Sequence, residues 1–138
     1  MEVCIFCKII KGEIPCTKVY EDENTLAFLD INPATPKGGH TLVLLKKHYE
    51  LITDVPEKEL EYLLKIIKKI SKALLKYGEG LNIIQNNKKV SGQIIPHIHF
   101  HLIPRFENDG VILSYWKTHK SSSEDLNKTA EKIKTLLK

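Results

Sequence analysis

The segment His97–Ile103 alternates histidine with large apolar residues, and it constrains the fold more than any other part of the chain. Strict alternation is typical of a β-strand with one buried face and not of a helix. Side chains two residues apart lie on the same face of a strand. We therefore expect His97, His99 and His101 to share one face. The residues that enter the core from the other face would be Ile98, Phe100 and Leu102.

The rest of the chain has the pattern of an α+β domain, in which helices pack on an antiparallel sheet of about five strands. Apolar residues at three- and four-residue spacing predict a long helix over about 56–77 and a second helix over about 123–137. The apolar face of the long helix would consist of Leu60, Leu63, Leu64, Ile67, Ile70 and Leu74. The remaining predicted elements are a short helix at 5–10, a loop at 32–39 and strands at 18–21, 25–29, 41–45 and 81–85.

Length and hydropathy limit the class of protein. The 138 residues are the size of one domain, and we expect a single domain over 1–138 with its core at about 4–105 and a variable C-terminal segment. No apolar run approaches the roughly 18 residues of a membrane span, and the first residues lack the pattern of a signal peptide. We therefore expect a cytoplasmic protein that does not bind membranes.

The charge pattern favours a small anionic substrate over a nucleic acid. The net charge is +4, and Arg105 is the single arginine among 21 basic residues. Nucleic-acid binders usually rely on arginine for bidentate contacts with phosphates and bases. We therefore expect no nucleic-acid partner, while the surplus charge can still attract a small anion.

Three histidines on one strand face favour phosphate chemistry over a shared metal ion. At about 3.3 Å per residue, the row from His97 to His101 is about 13 Å long, so its two ends are too far apart to bind one ion. A neutral imidazole can attack phosphorus, and a second imidazole can hold phosphate oxygens or protonate a leaving group. An exposed surface that is merely rich in histidine is the alternative interpretation.

The segment before this strand could add groups that bind phosphate. Ser91-Gly92-Gln93 is a glycine loop whose backbone N–H groups could cradle a phosphate. Asn86, at the end of the preceding strand, could orient a phosphate or an imidazole, or it could simply form a turn.

The segment His97–Ile103 resembles the signature of the histidine-triad (HIT) superfamily, and the resemblance extends over about 4–105. It is most similar to the histidine-triad nucleotide-binding (Hint) branch. The segments that carry this similarity are 5–10, 12–15, 27–31 and 40–48. The resemblance implies a HIT-like fold and a homodimer in which two five-stranded sheets join into one sheet of ten strands.

The resemblance also implies a reaction. The protein would be a nucleoside phosphoramidase or nucleotidyl hydrolase that cleaves a bond at the α-phosphate of a purine nucleotide. Its substrate would be a phosphoramidate, an adenylyl conjugate or a dinucleoside polyphosphate. His99 would attack the phosphate and form a nucleotidyl-histidine intermediate, His101 would contact the phosphate and assist the leaving group, and His40 would complete the cluster. The chemistry itself would need no cofactor.

Further nucleotide contacts follow from the same resemblance. Asp30 would bind the ribose hydroxyls, and Asn86 and Gln93 would bind phosphate oxygens. The base would lie in an apolar slot formed by Phe6, Ile9, Phe28 and Leu42, although core packing also explains Phe28 and Leu42. Ile94 departs from the family, because many relatives carry Ser or Thr at this position and a hydroxyl that could serve the phosphate or the leaving group is missing.

Cys4-x-x-Cys7 has three interpretations: a redox motif, half of a zinc site, or two small buried thiols. The redox motif is disfavoured because no strand fits before residue 4. A zinc ion would need two further ligands, for which His48 and His97 are the best candidates. Some prokaryotic HIT proteins and the related galactose-1-phosphate uridylyltransferases have this arrangement, so we expect a structural zinc site. Cys16 would be a packing residue.

Two other functions stay open beside the hydrolase. The first is a purine-nucleotide-binding module with vestigial turnover. The second is a metal-dependent hydrolase, which is disfavoured because no cluster of carboxylates accompanies the histidines.

Overall fold

The computed structural model describes residues 3–113 and 116–138, so residues 1, 2, 114 and 115 of the predicted domain lie outside the described ranges. Five strands form one sheet in the order β1-β2-β3-β5-β4, and each neighbouring pair is antiparallel. The strands are β1 (Lys18–Glu21), β2 (Thr25–Leu29), β3 (Thr41–Leu45), β4 (Gly80–Gln85) and β5 (His99–Arg105). The helices are α1 (Ile5–Ile10), α2 (Glu57–Tyr77) and α3 (Ser123–Leu136), with 3-10 turns at Ile52–Asp54 and Lys89–Ser91. The predicted α+β class and five-stranded antiparallel sheet are confirmed.

One face of the sheet packs against α2. The core on this face includes Ala27, Val43, Leu45, Ile98, Phe100 and Leu102 from the sheet side and Leu63, Ile66, Ile67, Ile70 and Leu74 from the helix. The prediction that Leu64 belongs to the buried face of α2 is wrong, because Leu64 is 49% exposed. Ile66, which was not predicted on that face, is buried. Successive residues of a helix are turned by about 100°, which carries Leu64 away from the face centred between Leu63 and Ile67.

The opposite face of the sheet is covered by α1 and carries the predicted histidine row. Its core consists of Phe6, Leu26, Phe28, Leu42 and Leu44. Residues in register on neighbouring strands share a face of the sheet. Leu42 pairs with His101 and Leu44 pairs with His99, so both histidines lie on the α1 side.

The histidine row does not lie entirely within a strand, because β5 begins at His99 and not at the expected His97. The N–H of His97 donates to the carbonyl of Ile95, two residues earlier, and the N–H of Ile98 donates to Tyr49. The His97 ring still lies on the α1 side of the sheet, where its centroid is 6.0 Å from that of Phe6. It also meets the His48 ring, with the two ring centroids 4.8 Å apart.

A partly buried carboxylate ties the β1–β2 turn to α2. Asp22 accepts hydrogen bonds from the hydroxyls of Tyr20 and Tyr62 and from the backbone N–H groups of Asn24 and Thr25. Burial by itself raises the pKa of this carboxyl, but the four hydrogen bonds outweigh burial and lower its pKa to about 2. The turn that leads into β2 is therefore fixed to the main helix.

None of the residues of α3 is buried, so this helix lies outside both cores. Within the described ranges, no helix has both the length and the apolar content that crossing a membrane requires.

Candidate active site and metal-binding cluster

A cavity of about 480 Å³ lies on the α1 side of the sheet. Seven of the predicted site residues line it: Phe6, Ile9, Phe28, Asp30, Leu42, His99 and His101. Phe28 and Leu42 are neighbours in the strand register, and Leu42 is in turn the neighbour of His101. The tertiary structure therefore places the predicted apolar slot beside the predicted histidines. Phe28 and Leu42 also belong to the core, so packing in the core and lining the cavity are compatible for these two residues.

A hydrogen bond joins His40 to His101, and the backbone decides its direction. The N–H of Ala34 donates to Nδ1 of His40 at 3.1 Å, so this nitrogen carries the lone pair. In a neutral ring the proton then lies on Nε2, which donates to Nδ1 of His101 at 2.9 Å. The proton of His101 must in turn lie on its Nε2. His101 therefore brings an N–H donor to the cavity that it lines.

His99 is in the opposite tautomer. Its Nδ1 lies 2.7 Å from the carbonyl oxygen of His97, and because a carbonyl only accepts, Nδ1 carries the proton. The other nitrogen, Nε2, keeps its lone pair. The ring packs edge-on against Phe6 with centroids 4.9 Å apart, and its centroid is also 4.9 Å from that of His101. One basic nitrogen and one N–H donor thus lie on adjacent rings.

Burial keeps these imidazoles neutral. It lowers the pKa of His99 and His40 below the ordinary value for histidine. Burial, together with repulsion from His99 and His40, lowers the pKa of His101 to about 4. A neutral imidazole is the form that can attack phosphorus, so the site is in its reactive form at neutral pH.

Asp30 lies at the end of β2 beside the histidines. Its N–H donates to the carbonyl of His40 at 2.8 Å, which holds the two residues together. Carboxylate oxygen Oδ1 accepts the N–H of Asn32, and Oδ2 lies 3.8 Å from Nε2 of His40. Because Asp30 lines the cavity, its carboxylate can accept hydroxyl protons from a ligand there.

The structure does not support the phosphate role expected for Gln93. Its side chain is 6% exposed, with Oε1 accepting the N–H of Lys88 and Nε2 donating to the carbonyls of Glu50 and Ile95. The amide group is therefore occupied within the protein. Lys88 has a positive φ of 72°, which is unusual for a lysine, and the bond from Gln93 helps to hold this conformation.

In the glycine loop, the backbone N–H groups that were predicted to cradle a phosphate are bonded within the protein in this conformation. The N–H groups of Ser91 and Gln93 donate to the carbonyl of Lys88, and that of Gly92 donates to Lys89. These donors close the 3-10 turn, so they are not available to a ligand in this conformation. Asn86 lies next to the loop: Nδ2 of Asn86 is 3.5 Å from the position that a Cβ on Gly92 would occupy.

The cavity wall also contains residues for which the sequence predicted no role in the site: Ile5, Ile14, Pro15, Cys16, Leu29, Ile31, Asn32 and Ile95. Gly92 and Ile94, which the sequence had placed near the phosphate, line it as well. Cys16 packs against the α1-side core, as expected, but it also lines the cavity. The proline and glycine that follow α1 mark a turn back towards the sheet, and this signal could have pointed to the segment.

The structure brings Cys4, Cys7, His48 and His97 into one cluster. Nδ1 of His97 lies 3.4 Å from Sγ of Cys4, 3.6 Å from Sγ of Cys7 and 3.1 Å from Nδ1 of His48, and the Cys7–His48 distance is 3.4 Å. A tetrahedral zinc ion with ordinary bond lengths separates sulfur from nitrogen by about 3.5 Å and two nitrogens by about 3.3 Å. The donor set and its spacing fit such an ion.

The orientation of the His97 ring also fits a metal ligand. Nε2 of His97 lies 2.8 Å from the carbonyl oxygen of Leu45, so Nε2 carries the proton and Nδ1 presents its lone pair to the two thiols. Metal-bound histidines commonly have such a second hydrogen bond. His97 therefore faces the cysteines.

Comparisons with known proteins agree with this geometry. The HIT domain family model matches residues 11–108. The HIT-like protein MJ0866 of Methanocaldococcus jannaschii is 49% identical over 133 residues, covering 96% of this chain and 99% of its own. The adenosine 5'-monophosphoramidase HNT1 of Candida albicans is 38% identical over 137 residues, covering 95% and 89%. A crystal structure of a HIT family member from Bacillus subtilis matches with a TM-score of 0.88 at 42% identity, covering 97% and 96%.

The fold and the histidine cluster therefore define a class of protein built around the histidine-triad strand. This chain belongs to the HIT family.

Proposed function

We propose that this protein hydrolyses the bond between the α-phosphorus of a purine nucleoside monophosphate and a leaving group. The substrate would be a phosphoramidate, an adenylyl conjugate or a dinucleoside polyphosphate. One observation carries the proposal: the hydrogen bonds leave His99 with a basic Nε2 and His101 with an N–H, and both residues line one cavity. The Candida albicans relative, which is named an adenosine 5'-monophosphoramidase, supports a purine nucleotide as substrate.

The first step would form a nucleotidyl-histidine. Nε2 of His99 attacks phosphorus and forms a P–N bond, while the bond to the leaving group breaks and its electron pair goes to the leaving atom. The N–H of His101 donates a hydrogen bond that stabilises the negative charge on the phosphate or the leaving atom.

The proton that the leaving atom gains would come from solvent. If His101 instead gave its Nε2 proton to the leaving atom, the Nε2 proton of His40 would move to Nδ1 of His101. The pair of His40 and His101 would then carry a negative charge beside the carboxylate of Asp30. In the second step a water oxygen attacks phosphorus, the bond to His99 breaks, and the water returns one proton to solvent. The products are the nucleoside monophosphate and the protonated leaving group, and His99 is regenerated.

The cavity wall supports the predicted placement of the nucleoside. The base would occupy the apolar slot of Phe6, Ile9, Phe28 and Leu42, and the ribose hydroxyls would donate to Asp30. The buried aromatic rings of Phe6 and Phe28 lie 5.7 Å apart in an edge-to-face pair, so one wall of the slot is rigid.

We propose that the cluster of Cys4, Cys7, His48 and His97 holds a structural zinc ion. Four protein ligands fill a tetrahedral shell and leave no position for substrate, so the ion would contribute to folding and not to the reaction. It would join α1 and the residue before it to the segment after β3 and to the segment before β5. A thiolate site also needs reduced cysteines, which supports the expected cytoplasmic location.

We propose that the protein is a homodimer joined through β4. This strand is an edge of the sheet, and its Ile83 side chain is 50% exposed. Ile83 pairs with Leu102, so it lies on the face of the sheet that packs against α2. On α2 itself, Leu64 and Leu75 are 49% and 53% exposed. A two-fold pairing of β4 with its copy would join two sheets into ten strands and would satisfy the free edge.

Replacement of the nucleophile tests the reaction. His99→Ala should abolish turnover of an adenosine phosphoramidate while AMP binding, measured by calorimetry, stays within a few-fold of wild type. His119→Ala, which changes an exposed histidine of the C-terminal segment, is the matched control. Mass spectrometry of quenched wild-type protein should show a nucleotidyl adduct on His99. Turnover by His99→Ala would overturn the assignment.

The two alternative functions give different results. A wild-type protein that binds AMP but cleaves none of the three substrate classes would be a binding module. Loss of turnover on brief treatment with EDTA, under conditions in which the fold persists, would indicate a metal-dependent hydrolase. Persistence of turnover is expected, because the proposed zinc ion takes no part in the reaction.

A further inference from the structure

Helix α1 lies between the apolar slot proposed for the base and the cluster of cysteines and histidines. Ile5, Phe6 and Ile9 line the cavity from this helix. Cys7 belongs to the cluster, and Cys4 is both the N-cap of α1 and a member of the cluster. Successive residues of a helix are turned by about 100°, so Cys7 is about 160° away from Ile9 around the helix axis. One side of α1 therefore serves the cavity, and the other side faces the cluster.

Little else holds α1 in place. It spans six residues, Ile5–Ile10, and a helix of this length is not stable by itself in water. Among the described residues, the side-chain hydrogen bonds from α1 and its N-cap to other segments all run from the two cysteines to His48 and His97. Phe6 is the buried side chain of the helix. The position of α1 therefore rests on the packing of Phe6 and on the cluster.

The ring of Phe6 connects the cluster with the slot. Its centroid is 5.7 Å from that of Phe28, the other aromatic ring of the slot, and 4.9 Å from that of His99. It is also 6.0 Å from the centroid of His97, the fully buried member of the cluster. A shift of α1 would move Phe6 away from Phe28 and remove apolar surface from a bound base.

We infer that the metal cluster positions the base slot, so that zinc and a purine nucleotide each strengthen the binding of the other. Cys4, Cys7 and His48 are then positioning residues, which act on the nucleotide through α1 and Phe6. The inference rests on the proposed function, because it uses the slot and the metal site proposed there. Coupling between two sites of one protein is typically about five- to 150-fold, and we expect about tenfold here, with the same factor in both directions. Turnover at saturating substrate should persist without the metal, because the coupling concerns binding.

The affinity for AMP, measured by calorimetry, tests one direction of the coupling. Zinc-loaded wild type is compared with Cys7→Ser and with His48→Ala, which removes a cluster residue at an exposed position outside α1. Both variants should bind AMP about tenfold more weakly. Ribose 5-phosphate has no base, so its affinity, measured by NMR titration, should change by less than about twofold. Asp22→Asn is the matched control, because it destabilises the fold outside both sites and should keep the zinc and the AMP affinity.

The affinity for zinc tests the other direction. Competition with a chromophoric chelator measures it for wild type with and without saturating AMP, and AMP should raise the zinc affinity by the same factor of about ten. Phe6→Ala keeps all four members of the cluster but removes the ring that connects it with the slot. In this variant the effect of AMP on zinc affinity should fall to about twofold or less.

These measurements separate failure of the inference from failure of the proposed reaction, because AMP is a product and is not turned over. If zinc and AMP strengthen each other but no substrate is cleaved, the reaction fails and the coupling stands. If substrate is cleaved but AMP binds equally well with and without zinc, the coupling is overturned and the reaction stands. A wild type that binds no zinc, an equal loss of affinity for AMP and ribose 5-phosphate, or a zinc affinity that AMP leaves unchanged would also overturn the inference.

Discussion

His101 should make the stability of the protein depend on pH in a way that the structure quantifies. Its pKa is lowered to about 4 by burial and by the neighbouring histidines, while in the unfolded chain an ordinary value of about 6.5 applies. Below pH 6.5 the unfolded chain therefore binds more protons than the folded one at this position. The stabilisation is complete above pH 6.5 and is lost as the pH falls towards 4. Between these limits the difference is about 3 kcal/mol.

The test compares wild type with His101→Phe, whose ring does not titrate. The free energy of unfolding is measured by urea denaturation at pH 7.5 and at pH 4. The decrease between the two conditions should be about 3 kcal/mol larger for wild type than for the variant. Taking this difference between the two proteins cancels the titration of the carboxylates and of the cysteine–histidine cluster, which both contain.

Two outcomes would contradict the reasoning. Equal decreases in the two proteins would mean that the His101 ring titrates alike in the folded and unfolded states. A larger decrease in the variant would mean that the folded state favours the charged ring. NMR titration of the imidazole gives an independent value, and a midpoint near 6.5 in the folded protein would refute the role of burial.

Three further predictions test other parts of the structure. Cys7→Ser should lose one equivalent of zinc and about 3 kcal/mol or more of stability by thermal unfolding, whereas Cys16→Ser should keep the metal; equal zinc content in both variants would refute the cluster. Ile83→Lys should convert a dimer into a monomer by light scattering, and Val19→Lys on the other edge strand should not; a dimeric Ile83→Lys would exclude β4 as the interface. Asp22→Asn should lower the free energy of unfolding by about 2 kcal/mol at pH 7, and the loss should shrink as the pH falls from 4 to 2, since a carboxyl with a lowered pKa stabilises the fold only while ionised.

Much of the fold follows from local pattern. The alternation around Phe100 predicts a strand with histidines on one face, and the register with Leu42 and Leu44 confirms that face. All five residues of β3 are buried, as is typical of a strand that is covered on both faces. The wrong prediction for Leu64 shows the limit of such patterns. When apolar residues lie on both sides of the central stripe of a helix, the sequence does not show which side will pack against the sheet.

The amino-acid sequence by itself determined the order of the elements, the shared face of His99 and His101, and the set of cysteines and histidines that could bind a metal. These depend on periodicity and on donor chemistry, which are local properties. The tautomer of His99 depends on the nearby carbonyl of His97, but only the tertiary structure decided those of His101 and His97, because they depend on His40 and on the carbonyl of Leu45. The same is true of Gln93, whose amide is paired with the distant carbonyl of Glu50. A hydrogen bond between residues far apart in the chain leaves no periodic trace in the sequence, and the bond between His40 and His101 is of this kind: it sets which nitrogen of His101 carries the proton.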